Sequence, residues 1–190
     1  MMLILVLIFT YLASSVNFSI VLFKLLGKDD PRTKFSGNAG ATNVYRQAGL
    51  FWAATVLLLD MGRAVLICYI GMKMLAPAYV TLPGLALILG NRFPCFHEFQ
   101  GGKGVANYLG FTLLLAPAAT VISALAWGGV FFLYRKPFLS SFAMVLVLGA
   151  GTIITCRNSG LAVAITCLTV LFIFFNHKQN ILEFFKTGTK

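Results

Sequence analysis

Residues 104–134 read GVANYLGFTLLLAPAATVISALAWGGVFFLY, a stretch of 31 residues without a formal charge. About 20 apolar residues cross the ~30 Å hydrocarbon core of a bilayer as one helix, so this stretch is too long for one crossing and short for two. Pro117 lies near its middle, where a proline favours a helix break. We therefore expect two short crossings that bend at Pro117, in a chain built of membrane helices.

The composition of the whole chain agrees with this expectation. Of its 190 residues, 59% are hydrophobic and only 11% are charged, whereas a soluble domain carries about 25% charged residues. This argues against a soluble enzyme, a disordered tail and a secreted disulfide scaffold. The formal net charge of +10 is spread over too few charges to form a nucleic-acid patch, so no nucleic-acid partner is expected. The sequence predicts an all-α polytopic membrane helix bundle with a single domain, residues 1–190.

Charge asymmetry decides the number of crossings. The other apolar runs, which carry at most two charges each, are residues 1–23, 49–72, 74–91, 137–156 and 158–177. Seven crossings place twelve of the 15 Lys and Arg residues on one side and two on the other, with Arg63 inside the membrane; six crossings give eight against six. The positive-inside rule favours seven, with the amino terminus outside and the carboxyl terminus in the cytoplasm. The glycine-rich polar connections then all face the cytoplasm.

The first of these connections has the composition of an anion site. Residues 36–49 read SGNAGATNVYRQAG, and glycines allow turns in which successive backbone N–H groups form a concave anion nest. Arg46 adds a forked cation suited to phosphate. A flexible polar loop would have the same composition, so both interpretations stay open. The candidate ligands in the nest are Ser36, Gly37, Asn38, Gly40, Thr42 and Asn43.

The second connection, residues 90–106, reads GNRFPCFHEFQGGKGVA. Lys103 stands among Gly101, Gly102 and Gly104, at the start of the next apolar helix. The amino terminus of a helix attracts anions, and the lysine adds a point charge. A Walker A loop is excluded because Gly104 stands where that motif needs Ser or Thr. A lysine that only anchors the topology is the alternative.

The remaining polar residues give weaker signals. His177 and Asn180 are spaced i, i+3 and share a face if the last helix continues, although polar residues at a helix exit would look the same. With His97 as the only other histidine and five acidic residues, the sequence predicts neither a metal site nor a cofactor. Asp60 and Arg63 are also spaced i, i+3 inside a crossing, where we expect them to neutralise each other.

Three strings in this order, SGNAGATNVYR, FQGGKGVA and HKQNI, resemble motifs of the bacterial integral-membrane acyl-phosphate:glycerol-3-phosphate acyltransferases, the PlsY family. The resemblance covers nearly the whole chain. The chain departs from the family pattern at Asn91, where histidine is usual, and in the last motif at Asn176 and Glu183, where arginines are usual. A serine loop of the family aligns with either Ser140 or Ser141.

The resemblance implies transfer of a fatty acyl group from acyl phosphate to glycerol 3-phosphate, which gives lysophosphatidic acid. It implies a bacterial cytoplasmic membrane location with the site on the cytoplasmic side. The donor phosphate would lie in the nest of residues 36–43, and the donor phosphate or His177 would accept the proton. The expected catalytic residues are Ser36, Arg46, Lys103, His177 and Asn180, and the expected substrate-binding residues are Gly37, Asn38, Gly40, Thr42, Asn43, Gly101, Gly102, Gly104, Ser140 and Ser141.

A transporter of a small phosphorylated anion is the alternative function, since such proteins also have glycine-rich loops at broken helices. A transporter would place its site near the midplane of the membrane. The motifs of this chain are instead predicted at one membrane face.

Overall fold

A computed structural model describes residues 1–187. Lys190, one of the twelve basic residues assigned to the cytoplasmic side, lies outside this range. Within it the chain is helical and has no β-strand, which confirms the predicted all-α membrane bundle. The helices are α1 Met2–Ser15, α2 Phe18–Leu25, α3 Ala41–Ala48, α4 Leu50–Met74, α5 Thr81–Arg92, α6 Val105–Leu115, α7 Pro117–Tyr134, α8 Pro137–Thr155, α9 Gly160–Phe175 and α10 Lys178–Thr187.

The helices differ in whether they are long enough to cross a membrane. Four segments of the described chain are long and apolar enough: α1 with α2, α4, α7 and α8. The pair α9 and α10, bent by 48°, makes a fifth if it counts as one span. At 1.5 Å per residue, α5 with 12 residues and α6 with 11 are only about 18 and 16 Å long. The number of seven crossings therefore stays a prediction.

Prolines set two of the helix boundaries. The predicted break at Pro117 is present, because α6 ends at Leu115 and α7 begins at Pro117. The run of residues 74–91 was expected to be broken by Pro77 and Pro83. It is interrupted at Pro77, whereas Pro83 lies within the first turn of α5 and does not break that helix. Pro77 opens a 3-10 turn after α4, and α5 begins only at Thr81. A proline is tolerated at the first position of a helical turn but has no N–H to continue the preceding helix.

The polar connections meet at one end of the bundle. Arg32 in the first connection donates to the carbonyl of His97 in the second, and Lys103 bonds to Asn180 at the start of α10. Lys136, before α8, lies over the ring of Phe184 in α10. The opposite end contains a cleft of about 450 Å³ lined by the ends of α4, α6 and α8, the start of α9 and the turns beside them: Met72, Leu75, Pro77, Ala78, Val80, Leu115, Thr155, Cys156, Asn158 and Ser159.

The short helix α6 recesses the connection that carries Lys103. Helices α6 and α8 both end at this cleft, which Leu115 and Thr155 line. With 11 residues against 19, α6 is about 12 Å shorter than α8. Gly101, Gly102 and Gly104 of the α5–α6 connection are buried, so this connection lies within the bundle and not on its surface.

A buried ion pair fixes α4 against its neighbours. Arg63 donates to Asp60 at 2.7 Å, with both side chains buried, which confirms the predicted pairing. Arg63 also donates to Asn107 of α6 at 2.9 Å and to the carbonyl of Ala13 in α1. One guanidinium thus joins α4 to α1 and to the first turn of α6, immediately after Lys103.

Candidate active site

A polar pocket of about 310 Å³ lies at the end of the bundle where the connections meet. The described residues that line it are Phe35, Ser36, Arg46, Gln179, Asn180 and Glu183. Three of the five residues expected to be catalytic are among them: Ser36, Arg46 and Asn180. Asn180 is more than 130 residues from Ser36 and Arg46 in the sequence, so the fold brings the first and last motifs together.

Asn43 positions the first motif. It is buried, and its amide donates to the carbonyl of Pro31 at 2.7 Å and to that of Lys34 at 3.2 Å. These bonds hold the loop before Ser36 against α3. Arg46 is three residues later on α3 and therefore lies on the same face. Asn43, expected as a substrate ligand, thus has a structural role, because its two donor hydrogens already bond to the loop.

The start of α3 is open toward this loop. Gly40 is its amino-terminal cap, and no side chain caps this end. Gly37 has φ +61, a conformation that other residues rarely adopt. Thr42 is exposed and Asn38 is half-buried, but neither lines the pocket. The amide of Gly37 already donates to the carbonyl of Lys34, so the anion nest stays a prediction, and Ser36 is the nest candidate that lines the pocket.

Lys103 joins the pocket through Asn180. Its ammonium donates to the side-chain oxygen of Asn180, and its backbone carbonyl accepts a bond from Asn176 at 3.4 Å. The pKa of Lys103 is lowered to about 8, chiefly by burial; the negative charge of Glu183 raises the pKa, and the positive charges of Arg92 and Arg46 lower it. The turn between α9 and α10 therefore holds Lys103 beside the pocket, near the positive charges of Arg46 and Arg92 and the negative charge of Glu183.

The glycines around Lys103 serve mainly for close packing. The amide of Gly101 donates to the carbonyl of Arg92, and that of Gly102 to the carbonyl of Asn91. A Cβ on Gly101 would lie 2.0 Å from the Asn91 carbonyl oxygen, and one on Gly104, which has φ +91, would lie 2.7 Å from Ile88. We therefore revise the expected role of Gly101 and Gly102, because amides that already bond to α5 do not face an anion.

Arg32 connects the two glycine-rich connections. It forms an ion pair with Asp30 at 2.7 Å and donates to the carbonyls of His97 and Gln100 at 3.0 Å each. The hydrogen bond from Arg32 lowers the pKa of the Asp30 carboxyl. Sequence reasoning counted Arg32 only as a positive charge. Its position identifies it as the contact that fixes one connection relative to the other.

His177 and the two serines lie near the pocket but do not line it. His177 is buried, and its Nδ1 lies 2.8 Å from the carbonyl of Ile173; since a carbonyl only accepts, Nδ1 carries the hydrogen. Its ring packs edge-on against Phe142 of α8. Ser140 and Ser141 bond to the carbonyls one turn earlier in α8, which is the usual local bond of a helical serine.

Comparison with known proteins gives the family. A sequence model described as glycerol-3-phosphate acyltransferase matches residues 4–187. A glycerol-3-phosphate acyltransferase of Myxococcus xanthus is 38% identical over 91% of this chain and 91% of its own length. One from Pseudomonas paraeruginosa is 35% identical over 94% of this chain and 93% of its own length. The chain belongs to the glycerol-3-phosphate acyltransferase family.

Solved structures extend this result to the fold. The crystal structure of PlsY (YgiH), an integral membrane glycerol 3-phosphate acyltransferase in its glycerol 3-phosphate form, is 31% identical with a TM-score of 0.90, covering 99% of this chain and 94% of that one. The lysophosphatidic acid form is 30% identical with a TM-score of 0.88, covering 99% and 93%. The resemblance stated from the three motifs is therefore confirmed.

In this glycerol-3-phosphate acyltransferase family member, three pocket residues were not expected as site residues. They are Phe35, Gln179 and Glu183. Gln179 and Glu183 are spaced i, i+4 on α10 and flank Asn180, so the periodicity of this helix could have predicted them. For Phe35, the sequence offered only its position next to Ser36. Among the described residues, no group of three or more His, Cys, Asp or Glu could hold a metal ion.

Proposed function

We propose that this protein transfers a fatty acyl group from acyl phosphate to glycerol 3-phosphate and so forms lysophosphatidic acid. The observation that carries the proposal is the single pocket in which Ser36, Arg46 and Asn180 meet, with Lys103 bonded to Asn180. Both substrates carry phosphate, and this pocket combines cations with neutral hydrogen-bond donors. The family relationship supports the same activity.

The phosphate of glycerol 3-phosphate lies between Arg46 and Lys103 in this proposal. Lys103 turns from the side-chain oxygen of Asn180 to the phosphate, and that oxygen is then available to accept a hydrogen bond from a hydroxyl of the acceptor. Charge-assisted bonds of this kind are the stronger class of hydrogen bond. The donor phosphate binds to Ser36 and to the loop of Gly37, Asn38, Gly40 and Thr42 at the start of α3.

The reaction needs no enzyme nucleophile, because acyl phosphate already contains a good leaving group. The primary hydroxyl oxygen of glycerol 3-phosphate attacks the acyl carbon, a new ester C–O bond forms, and the C–O bond to phosphate breaks. The hydroxyl proton passes to the departing phosphate, which leaves as hydrogen phosphate. Positioning and charge stabilisation by Arg46, Lys103 and Ser36 then supply the rate enhancement.

The donor phosphate is the proposed proton acceptor in preference to His177. The imidazole is buried between α9 and Phe142, and it is not among the residues that line the pocket. His177 instead positions the turn that carries Asn176 and Asn180. Ser140 and Ser141 support the same region from α8.

We further propose that the protein crosses the bacterial cytoplasmic membrane seven times, with the pocket on the cytoplasmic side. The short helices α5 and α6 are two of the seven crossings. The twelve-to-two distribution of Lys and Arg supports this orientation. Glycerol 3-phosphate is then taken from the cytoplasm, and the acyl chain reaches the pocket from the bilayer.

Donor identity tests the proposed function. Purified protein is supplied with labelled glycerol 3-phosphate and, in separate reactions, with acyl phosphate, acyl-CoA or acyl-carrier protein. We expect labelled lysophosphatidic acid only with acyl phosphate, and competitive inhibition by inorganic phosphate at the same loop. Lys28→Ala, which removes an exposed lysine of the same connection outside the pocket, serves as the control for nonspecific charge effects. Efficient use of acyl-CoA would contradict the donor assignment.

A further inference from the structure

Phe35 has two properties that do not favour folding. Its backbone has φ 55, which for a bulky residue is a genuine outlier. Its side chain is 69% exposed, so little of the ring packs against the rest of the protein. Glycine or asparagine would adopt this backbone at lower cost. An aromatic ring held in a strained and exposed position suggests a role in binding rather than in folding.

The surroundings of Phe35 indicate what the ring contacts. The ring is the single apolar side chain among the described residues that line the pocket, and the others are Ser36, Arg46, Gln179, Asn180 and Glu183. A phosphate suits Arg46, Ser36 and Asn180, and the carboxylate of Glu183 suits a hydroxyl group. A fatty acyl group also brings alkyl carbons next to its reacting carbonyl, and these need an apolar surface.

In the loop an apolar residue, Phe35, stands next to Ser36, and in the donor an alkyl chain stands next to the acyl phosphate group. Consecutive Cα atoms are 3.8 Å apart, so Phe35 stands directly beside Ser36, the proposed ligand of the donor phosphate. In an acyl phosphate the alkyl chain begins one carbonyl away from the phosphate. A phosphate bound at Ser36 therefore places the first methylenes within reach of the Phe35 ring.

The pocket is also close to an exposed apolar surface, which faces lipid in the proposed membrane arrangement. Leu50 and Phe51, at the start of α4, are 72% and 71% exposed. Leu50 follows Arg46 by four residues, so the two lie at most about 15 Å apart. An acyl chain can therefore extend from the pocket to the bilayer over a short distance.

From these observations we infer that Phe35 binds the first methylenes of the acyl chain and makes the enzyme selective for fatty acyl donors. The inference rests on the proposed function. Phe35 is a specificity-determining residue here, and the transfer itself is left to the polar groups of the pocket. Removing the ring should weaken donor binding without altering the site of glycerol 3-phosphate.

The test compares variants that keep the backbone conformation. Phe35→Gly and Phe35→Asn remove the ring, whereas Phe35→Leu keeps an apolar side chain. Phe99→Gly is the matched control, because Phe99 also has a positive φ, of 57, and is 58% exposed, in the second connection and away from the pocket. The measurements are KM for palmitoyl phosphate, KM for glycerol 3-phosphate and the unfolding temperature in detergent.

We expect Phe35→Gly and Phe35→Asn to raise KM for palmitoyl phosphate about tenfold, the order expected for loss of one apolar contact surface, while KM for glycerol 3-phosphate stays within about twofold. Phe35→Leu should restore most of the donor affinity, and Phe99→Gly should change neither KM. Neither glycine variant should lower the unfolding temperature. An unchanged donor KM, an equal rise in the acceptor KM, an equal effect of Phe99→Gly or a less stable Phe35→Gly protein would each overturn the inference. Wild-type turnover, measured first, tests the proposed function separately.

Discussion

Raising the pH should titrate Lys103 and weaken capture of glycerol 3-phosphate. Burial and the neighbouring arginines lower the pKa of Lys103 to about 8. Only the protonated ammonium attracts the phosphate of the acceptor. The second pKa of a phosphate ester is about 6, so the substrate stays dianionic above pH 7 and does not account for an alkaline loss.

The size of the effect follows from the fraction of Lys103 that is charged. With a pKa of about 8, the charged fraction falls from about 0.9 at pH 7 to about 0.1 at pH 9. Because kcat/KM reports the ionisation of free enzyme and free substrate, kcat/KM for glycerol 3-phosphate should fall about tenfold over this interval. Bound phosphate favours the charged lysine, so kcat at saturating acceptor should fall less.

The assay measures initial rates with fresh acyl phosphate at each pH, so that donor hydrolysis does not contribute. Lys103→Arg is the informative variant, since a guanidinium with a pKa above 12 stays charged throughout. Its absolute rate will change because the two side chains differ in shape, but its alkaline loss near pH 8 should disappear. Lys103→Ala should lower kcat/KM for glycerol 3-phosphate about 10- to 150-fold at pH 7, because this is the effect of losing a hydrogen bond to a charged group. The kcat/KM of this variant should not change between pH 7 and 9.

Two results would refute this reasoning. One is a wild-type kcat/KM for glycerol 3-phosphate that does not change between pH 7 and 9. The other is the same alkaline loss in Lys103→Arg, which would assign the titration to another group.

Two further predictions concern the bundle itself. Asp60→Ala should leave the buried charge of Arg63 unpaired and destabilise the protein by about 3–5 kcal/mol. The double variant Asp60→Ala with Arg63→Leu should recover part of the loss in unfolding temperature, measured in detergent. Additive losses from the two substitutions would contradict the pairing. For the topology, a variant without its four natural cysteines receives single cysteines at Gly27, Lys136 or Asn158. Intact cells should label only the last with an impermeant reagent, and labelling at position 136 would exclude the seven-crossing arrangement.

The sequence predicted the parts of the site that depend on the chemistry of individual side chains. Ser36, Arg46 and Asn180 line one pocket, with Lys103 bonded to Asn180. The charges of Arg46 and Lys103 pointed to anion binding, and the family resemblance implied the complete set. The sequence also predicted the break at Pro117, because proline acts locally. These inferences depend on properties of a residue and its near neighbours, which a sequence shows directly.

The remaining features depend on which helices meet. Gly101 and Gly102 looked like anion ligands, but only the packing of their connection against α5 reveals that their amides are already bonded. Arg32 has the sequence features of a surface charge, and only the fold shows that it bonds to the second connection at the carbonyl of His97. Pro83 was expected to break the apolar run of residues 74–91 as Pro77 does, but it lies in the first turn of α5, where a missing N–H costs no helical hydrogen bond.

The shortness of α5 and α6 has a consequence for how two unlike substrates meet. In the proposed seven-crossing arrangement, helices about 16–18 Å long leave a polar depression inside the thickness of the ~30 Å hydrocarbon layer. Water and a dissolved metabolite can descend into that depression, while an acyl tail remains among lipid tails at the same depth. Glycerol 3-phosphate therefore stays in water and the acyl chain stays among lipid tails until they react. The product forms with its own acyl tail already in the bilayer.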